Sequence, residues 1–271
     1  MEKKKIGIIG GGFVGSAIAR YFQNRGHQVL VYDKFKNSSP VEDVVKMDFV
    51  FIAVPTPYSN GIDLSAMDDA MEKAGRAEPG KIVIIKSTIV PGTTESYQKK
   101  YPHLKIVFNP EFLTETTADQ DFGYPDRQIV GYTSISYPVA GDVMQLLPLA
   151  PFGRLLPATE AEMVKYFGNN WFAVKVVFAN HIFDVCEKLG INYDTIAECA
   201  AADKRIGPSH LQVWHKGYRG YGGKCIPKDI RNMIKFSESL GLDLKLLKAA
   251  EEINKKLTEG QIGKKSQNPN D

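Results

Sequence analysis

The sequence of 271 residues predicts an α/β protein, in which a doubly wound parallel sheet is followed by an all-α domain that begins with a long connecting helix. In the first half, short apolar runs alternate with helix-like stretches, which is typical of parallel strands joined by helices. From Pro157 onward, apolar residues recur at helical spacing as far as Leu189. We therefore assign residues 1–156 to the sheet domain, residues 157–258 to the helical domain and residues 259–271 to a disordered tail.

The composition excludes several kinds of partner. The net charge is only +3 and the densest lysine runs lie at the two ends, so we expect no binding to nucleic acid. No run reaches the roughly 18 apolar residues that span a bilayer, so we expect no membrane segment. Three cysteines without paired spacing fit a reducing compartment, and we expect a cytoplasmic protein. The five histidines are scattered, and we expect no metal site.

A glycine-rich turn follows the first predicted strand, Lys5–Ile9. The turn has the pattern G-x-G-x-x-G at the start of a helix, where backbone N–H groups can bind a pyrophosphate. Gly10 would make the tight turn, Gly12 would let a pyrophosphate approach, and Gly15 would let the helix pack on the strand. The residues of this turn that we assign to cofactor binding are Gly10, Gly12, Phe13, Val14 and Gly15.

A carboxylate at the end of the second strand selects the cofactor. The strand Gln28–Tyr32 ends in Asp33, which can accept hydrogen bonds from ribose hydroxyls and would repel a 2′-phosphate. Together the two strands and the turn predict a Rossmann domain that binds NAD, although Lys34 leaves NADP open. The alternative is a glycine-rich turn in a fold without a cofactor.

Polar segments follow three further predicted strands, Asp48–Val54, Lys81–Ile85 and Lys105–Phe108. Ligands of doubly wound sheets lie beyond the carboxyl ends of the strands, so these segments are candidates for the site. They contain Pro55 and Thr56, then Ser87 and Thr88, then the run from Asn109 to Glu115. If that run turns helically after Pro110, Glu111 and Glu115 share one face as a like-charged pair, which would cost stability without a functional reason.

A single thiol lies in the Gly-rich stretch from Gly220 to Asp229. Pro227 suits the first turn of a helix, which would place Cys225 at the helix N-terminus. There the helix dipole and the neighbouring Lys224 and Lys228 would favour the thiolate, a nucleophile at neutral pH. The alternative is a Gly-rich turn that carries a buried cysteine.

Three motifs recur together in one known family. Asn109–Leu113 reads NPEFL, Pro125–Gly131 reads PDRQIVG, and Gly222–Asp229 reads GGKCIPKD. In combination they make the chain similar to the UDP-glucose 6-dehydrogenase family of nucleotide-sugar dehydrogenases, over roughly Lys5 to Leu257. The resemblance implies that a primary alcohol, C6 of UDP-glucose, is oxidised to an acid with two NAD per turnover.

The resemblance also implies roles for individual residues. Cys225 would be the nucleophile, which captures the aldehyde as a thiohemiacetal and then carries a thioester. Lys165 and Asn169 would stabilise oxyanions. Proton transfer and water positioning would fall to Glu115, Thr88 and Asp229, with Glu111 in support. Additional cofactor contacts would come from Pro55, Thr56, Thr88, Glu115 and Lys228. Substrate contacts would come from Phe112, Leu113, Lys165, Asn169, Arg205, Tyr221, Gly222 and Gly223.

The long helix should also bridge the domains and form part of a homodimer interface. At roughly 45 Å it is longer than one small domain requires. Thr159 and Glu162 have the spacing of a capping box at its start. Aromatic residues along it, such as Phe167 and Trp171, fit core and interface positions better than a cofactor site.

Three features depart from the family. Its members usually continue into a second Rossmann-like domain that helps to bind UDP, whereas this chain ends before it. The predicted loop from Ser209 to Tyr221 lacks the family's usual compact Pro-Gly pattern; it is rich in Gly, aromatic and basic residues, which suits an anionic ligand with a ring, the alternative being an ordinary surface loop. Lys224 precedes the cysteine, where a small residue is common. The alternatives are therefore an NAD-binding scaffold, half of a split enzyme, or an NAD-dependent oxidoreductase for a smaller substrate.

Overall fold

The computed structural model describes residues 3–114, 116–215 and 217–259. The chain divides into two compact units, Met1–Lys165 and Tyr166–Asp271. The division lies inside the long helix, a little after the boundary at 156/157 that the sequence predicts. Of the predicted tail, all residues beyond 259 lie outside the described residues, as does Glu115.

The first unit contains a seven-stranded sheet in the order β2-β1-β3-β4-β5-β6-β7. All neighbouring strands are parallel except β5 and β6, which pair antiparallel through Val107 with Tyr132 and Phe108 with Gly131. β6 therefore starts at the edge of the sheet where β5 ends. The strands are β1 (Lys5–Ile9), β2 (Gln28–Tyr32), β3 (Phe49–Ile52), β4 (Ile82–Ile85), β5 (Lys105–Phe108), β6 (Arg127–Tyr132) and β7 (Phe152–Pro157).

Six helices accompany this sheet and form a buried apolar cluster on each of its faces. In β3, Val50 and Ile52 belong to one cluster, while Phe49 and Phe51 belong to the other. A strand buried on both faces reads as a continuous apolar run, which explains the sequence pattern. The helices are α1 (Phe13–Asn24), α2 (Val41–Val44), α3 (Ser65–Ala74), α4 (Thr93–Lys100), α5 (Ala118–Gly123) and α6 (Tyr137–Leu146).

The second unit is helical, with one short hairpin. The long helix that the sequence predicts is α7 (Ala158–Leu189), and its first residues belong to the first unit. The other elements are α8 (Tyr193–Ala201), β8 (Trp214–His215), β9 (Tyr218–Arg219), α9 (Ile226–Ser239) and α10 (Lys245–Thr258). The hairpin of β8 and β9 lies where the sequence predicts only a loop. Within the described ranges, no helix has the length and apolar character needed to cross a membrane.

The predicted capping box at the start of α7 is wrong. Glu162 accepts hydrogen bonds from the backbone N–H groups of Gly92 (2.6 Å) and Thr94 (2.8 Å) and from the Thr94 hydroxyl (2.6 Å). These groups lie at the N-terminus of α4, where backbone donors lack partners inside the helix. Glu162 is fully buried and therefore satisfies the donors of a neighbouring helix instead of those of its own.

Candidate functional site

The glycine-rich turn leaves room for a phosphate group. Gly10 has a φ of 101°, which favours glycine. A Cβ at Gly15 would lie 1.9 Å from the Gly10 carbonyl oxygen, so only glycine lets α1 pack this closely on β1. At Gly12, by contrast, a Cβ would meet nothing within 4 Å. The backbone at the start of α1, with Phe13 exposed and Val14 half-buried beside it, is thus open to a bound pyrophosphate.

The Asp33 carboxylate lies next to this turn. Its Oδ2 accepts from the Gly11 N–H at 2.7 Å, and its Oδ1 accepts from the Phe35 N–H at 2.9 Å. The Lys36 amine donates to the Gly11 carbonyl oxygen. These bonds fix the carboxylate at the end of β2, and the residues fit a dinucleotide whose ribose hydroxyls would bind there.

The ends of β3 and β4 are tied together by hydroxyl groups. The Thr56 hydroxyl donates to the Thr88 carbonyl oxygen at 2.7 Å, and both threonines are buried. The Ser87 hydroxyl donates to the Val54 carbonyl oxygen at 2.7 Å and accepts from the Val54 N–H at 2.9 Å. Two predicted cofactor residues, Thr56 and Thr88, therefore meet at the carboxyl edge of the sheet, and the exposed Pro55 adjoins them.

A buried ion pair lies beyond the end of β5. The Lys165 amine lies 2.8 Å from Glu111 Oε1 and also donates to the Glu111 carbonyl oxygen at 2.8 Å. Glu111 Oε2 accepts from the Leu113 N–H at 2.8 Å. Residues 109–114 are not helical, so the condition of a helical turn directly after Pro110 is not met there, and Glu115 lies outside the described residues.

Charge determines the protonation state of Glu111. Burial alone would raise the pKa of its carboxyl, but the Lys165 charge and hydrogen bond, the Leu113 N–H and the charge of Lys86 together hold the pKa below its usual range. Lys165 also lies 5.7 Å from the ring centroid of Phe112, and the Arg127 guanidinium lies 3.9 Å from the same centroid. The segment from Glu111 to Leu113 thus presents an ionised carboxylate and an aromatic ring. The Lys165 ammonium contacts both, and the Arg127 guanidinium lies over the ring.

Sequence reasoning missed Lys86, which is buried at the end of β4. Its amine donates to Asn109 Oδ1 at 2.7 Å and to the Pro110 carbonyl oxygen at 3.4 Å. Asn109 in turn donates to the Ile129 carbonyl oxygen at 2.7 Å. Burial lowers the pKa of Lys86 to about 7, against the charge of Glu111, which raises it. The sequence signal that could have identified Lys86 is its place directly after the apolar run of a parallel strand.

In the second unit, Cys225 precedes a buried carboxylate by one helical turn. Cys225 is exposed and caps the N-terminus of α9, where its carbonyl oxygen accepts from the Asp229 N–H at 2.9 Å. The fully buried Asp229 carboxylate accepts from the Asn169 side-chain amide of α7 and from the Lys228 amine. Four predicted site residues of this unit, Cys225, Lys228, Asp229 and Asn169, are therefore brought together.

The loop before Cys225 holds three of the predicted substrate residues, Tyr221, Gly222 and Gly223. Tyr221 is buried, and its hydroxyl donates to Glu251 at 2.8 Å. Gly222 lies against the Tyr218 ring, and Gly223 has a φ of 73°. Arg205 is exposed on this unit, and its guanidinium forms a two-pronged ion pair with the two carboxylate oxygens of Asp203.

Both units match domains of one family. Residues 33–140 match the NAD binding domain of the UDP-glucose/GDP-mannose dehydrogenase family, and residues 159–256 match its central domain. Residues 8–38 also match an NAD(P)-binding Rossmann-like domain. The prediction of a Rossmann domain with NAD as its cofactor is thereby confirmed.

Individual relatives agree with this assignment. The chain is 30% identical to the UDP-glucose 6-dehydrogenase of Rhizobium meliloti (strain 1021), over 92% of this chain and 67% of the relative. For the UDP-glucose 6-dehydrogenase AglM of Haloferax volcanii the values are 29%, 92% and 69%. A UDP-glucose dehydrogenase structure from the archaeon Pyrobaculum islandicum superimposes with a TM-score of 0.84 at 29% identity, over 94% of this chain and 68% of the other.

These relatives are longer than this chain, so the matches cover only part of each relative. The chain spans between about half and about two thirds of the length of the curated relatives it matches. Both of its units are covered by the matches, in the same order along the chain. The fold, the two matched domains and the sequence identity to these relatives together show that the chain belongs to the UDP-glucose/GDP-mannose dehydrogenase family.

Proposed function

We propose that this protein oxidises a primary alcohol of a nucleotide sugar to a carboxylate, with UDP-glucose as the substrate and UDP-glucuronate as the product. The observation that carries this proposal is the cluster in the second unit. An exposed thiol at the N-terminus of α9 lies one turn from a fully buried carboxylate, which is bound by Asn169 and Lys228. A helix N-terminus favours the thiolate form, and the thiolate is the nucleophile.

A covalent step on Cys225 accounts for oxidation beyond the aldehyde. The thiolate attacks the aldehyde carbon, so that an S–C bond forms and the carbonyl oxygen becomes an oxyanion. Loss of a hydride from that carbon restores the C=O bond and leaves a thioester. Water then attacks the thioester carbon, the C–S bond breaks, and the thiolate and a carboxylate are released with the protons of the water. Bound NAD supplies the hydride acceptor, and two NAD are reduced for each acid formed.

Lys165 and Asn169 have the chemistry to stabilise the oxyanion. An ammonium group and an amide N–H are both donors to developing negative charge, and both side chains are buried. The Lys165 amine is held 2.8 Å from Glu111 Oε1, away from bulk water. Glu115, Thr88 and Asp229 would transfer protons and position the attacking water, with Glu111 in support. For Asp229 the contact with Asn169 supports this assignment.

The remaining contacts complete the proposed site. For NAD, the glycine-rich turn with Gly10, Phe13 and Val14 would bind the pyrophosphate, and Asp33 would bind the ribose. Further cofactor residues would be Pro55, Thr56, Thr88, Glu115 and Lys228. The sugar nucleotide would contact Phe112, Leu113, Arg205, Tyr221, Gly222 and Gly223.

We further propose that the functional form is a homodimer that associates through α7. Large apolar side chains of this helix are exposed at intervals of four and seven residues, at Phe167, Trp171, Phe178 and Val185. Such spacing places them along one stripe of the helix. In a monomer these side chains would stay exposed to water, whereas the same stripe of a second copy would cover them.

The decisive experiment is NADH formation by the purified chain, given NAD and a panel of UDP-sugars, with the acid product counted against NADH. We expect two NADH per molecule of UDP-glucuronate. The Cys225→Ser variant should form no acid, because a serine hydroxyl is not ionised to a nucleophile at neutral pH. An alkoxide is also a poorer leaving group than a thiolate when water attacks. Normal acid formation by this variant would overturn the covalent mechanism.

The alternatives give different results in the same experiment. An NAD-binding scaffold, or half of a split enzyme, binds NAD but forms no NADH with any sugar. An oxidoreductase for smaller substrates forms NADH with simple alcohols or aldehydes and not with UDP-sugars. A direct measurement of NAD binding, for example by calorimetry, separates a scaffold from an unfolded preparation.

A further inference from the structure

The backbone just before Cys225 is bound by a side chain of α10. The Tyr221 N–H donates to Asn254 Oδ1 at 2.7 Å, and Asn254 Nδ2 donates to the Tyr221 carbonyl oxygen at 3.0 Å. The amide therefore pairs with both backbone groups of one residue, as a neighbouring strand would. Asn254 is buried, so that water competes little for these bonds.

The approach of Asn254 to the loop is close enough to require glycine. Gly220 has a φ of 86°, and a Cβ at this position would lie 2.5 Å from Asn254 Oδ1. The next residue, Tyr221, is buried, and its hydroxyl donates to Glu251 at 2.8 Å. Glu251 and Asn254 are three residues apart and lie on the same face of α10. One face of this helix thus holds the side chain and the backbone of the loop.

Only three residues separate this anchor from the thiol. Gly222, Gly223 and Lys224 connect Tyr221 to Cys225, and two of these are glycines that fix the backbone poorly by themselves. On the other side of Cys225 the helix α9 begins at Ile226. The backbone of Cys225 therefore continues directly into α9 on one side and lies three residues from the Asn254 anchor on the other.

We propose that Asn254 is a positioning residue for Cys225, which holds the loop from Gly220 to Lys224 so that the thiol stays at the N-terminus of α9. This inference rests on the proposed function only in taking Cys225 as the reacting group. Asn254 touches neither substrate nor cofactor in this role. It acts through the backbone of Tyr221, and its loss changes the reactivity of the thiol.

The experiment measures alkylation of Cys225 by iodoacetamide in the full chain at pH 7, with each cysteine followed separately by mass spectrometry. For Asn254→Leu we expect the Cys225 rate to fall by about fivefold or more, because a displaced thiol loses the field of the helix N-terminus. Cys199 is exposed on α8 and should react at the unchanged rate. Asn254→Asp keeps an acceptor for the Tyr221 N–H but loses the donor, and should give an intermediate rate.

A matched control separates positioning from general destabilisation. Asn192 caps α8 through the N–H groups of Asp194 and Thr195 and has no hydrogen bond with the Cys225 loop among those described. Asn192→Ala should lower the melting temperature and leave Cys225 alkylation unchanged. If Asn254→Leu does not fold, Tyr221→Phe removes only the hydroxyl bond to Glu251 and provides the second test of the same anchor, with a smaller fall in rate.

The outcomes are distinct. Wild-type alkylation of Cys225 in the folded Asn254→Leu and Asn254→Asp variants, or an equal fall in Asn192→Ala, would overturn the proposal. Where NADH forms, Asn254→Asp should lower kcat and leave the KM for NAD unchanged. Where no NADH forms, the proposed function fails, but the alkylation rates still decide whether Asn254 positions the thiol.

Discussion

The Lys165 amine bonds to the side chain and to the main chain of Glu111 at once, at 2.8 Å in each case. Both side chains are almost completely removed from water. The pair fixes the non-helical segment after β5 against the first turns of α7. Because each charge satisfies the other, the segment can carry an ionised carboxylate in a buried position.

Replacing one partner of this pair should be costly. Glu111→Gln leaves the Lys165 charge buried without its counter-ion, and we expect a loss of about 3 kcal/mol in the free energy of unfolding. Urea denaturation at pH 7 measures this loss. The double variant with Lys165→Met should lose less than the sum of the two single variants, because no uncompensated charge remains. Additive losses would show that the two side chains do not depend on each other.

The buried amine of Lys86 should make stability depend on pH. The pKa of Lys86 falls from its ordinary 10.5 to about 7 because burial disfavours the ammonium form. Since the folded pKa lies below the unfolded one, the contribution of this group is greatest above pH 10.5 and is lost as pH falls to about 7. The whole effect amounts to about 5 kcal/mol at most.

The Lys86→Met variant provides the reference for this effect. It loses the hydrogen bond to Asn109 at every pH, but it has no proton to gain or lose at this position. We therefore expect wild-type stability to rise relative to the variant between pH 7 and pH 9.5, as measured by urea denaturation at several pH values. Parallel pH curves for the two proteins would contradict the low pKa.

The sequence was sufficient for features that depend on local periodicity. The strands β1, β2 and β5 have the predicted bounds, because each is a short apolar run; those of β1 and β5 are mostly buried, and that of the edge strand β2 is half-buried. The glycine-rich turn and Asp33 were found for a similar reason, since their spacing reflects a single βαβ unit. Cys225 was predicted at the start of α9 because Pro227 has no backbone N–H and is tolerated in the first turn of a helix but not in its interior.

The features that the sequence did not predict depend on contacts between distant residues. Lys86 and Asn109 are 23 residues apart, and their hydrogen bond exists only because β4 and β5 are neighbours. Asn254 lies 33 residues after Tyr221, on a helix that no local pattern relates to the loop. The capping box was predicted from spacing alone, but Glu162 accepts hydrogen bonds from backbone donors at the start of α4.

Glu162 should produce a pH dependence of the opposite sign. Burial raises the pKa of its carboxyl to about 7, although the hydrogen bonds from Thr94 and Gly92 act against the rise. Because the folded pKa exceeds the ordinary 4.5, the contribution to stability is complete below pH 4.5 and is lost as pH rises through 7, by about 3 kcal/mol at most. In Glu162→Gln the melting temperature should change less between pH 5 and pH 7.5 than in the wild type. An equal change in both proteins would contradict the raised pKa.

The exposed stripe of α7 makes a prediction about assembly that is independent of catalysis. Phe178 is 63% exposed on the stripe, and Phe178→Asp places a charge where a second copy would otherwise bury an aromatic ring. We expect this variant to sediment as a monomer at concentrations at which the wild type sediments as a dimer. Leu242→Asp is the matched control, since Leu242 is 55% exposed on the connection between α9 and α10 and lies off the stripe. It should leave the dimer intact. A wild-type chain that remains monomeric, or a dimer that only Leu242→Asp disrupts, would show that α7 is not the surface through which the copies associate.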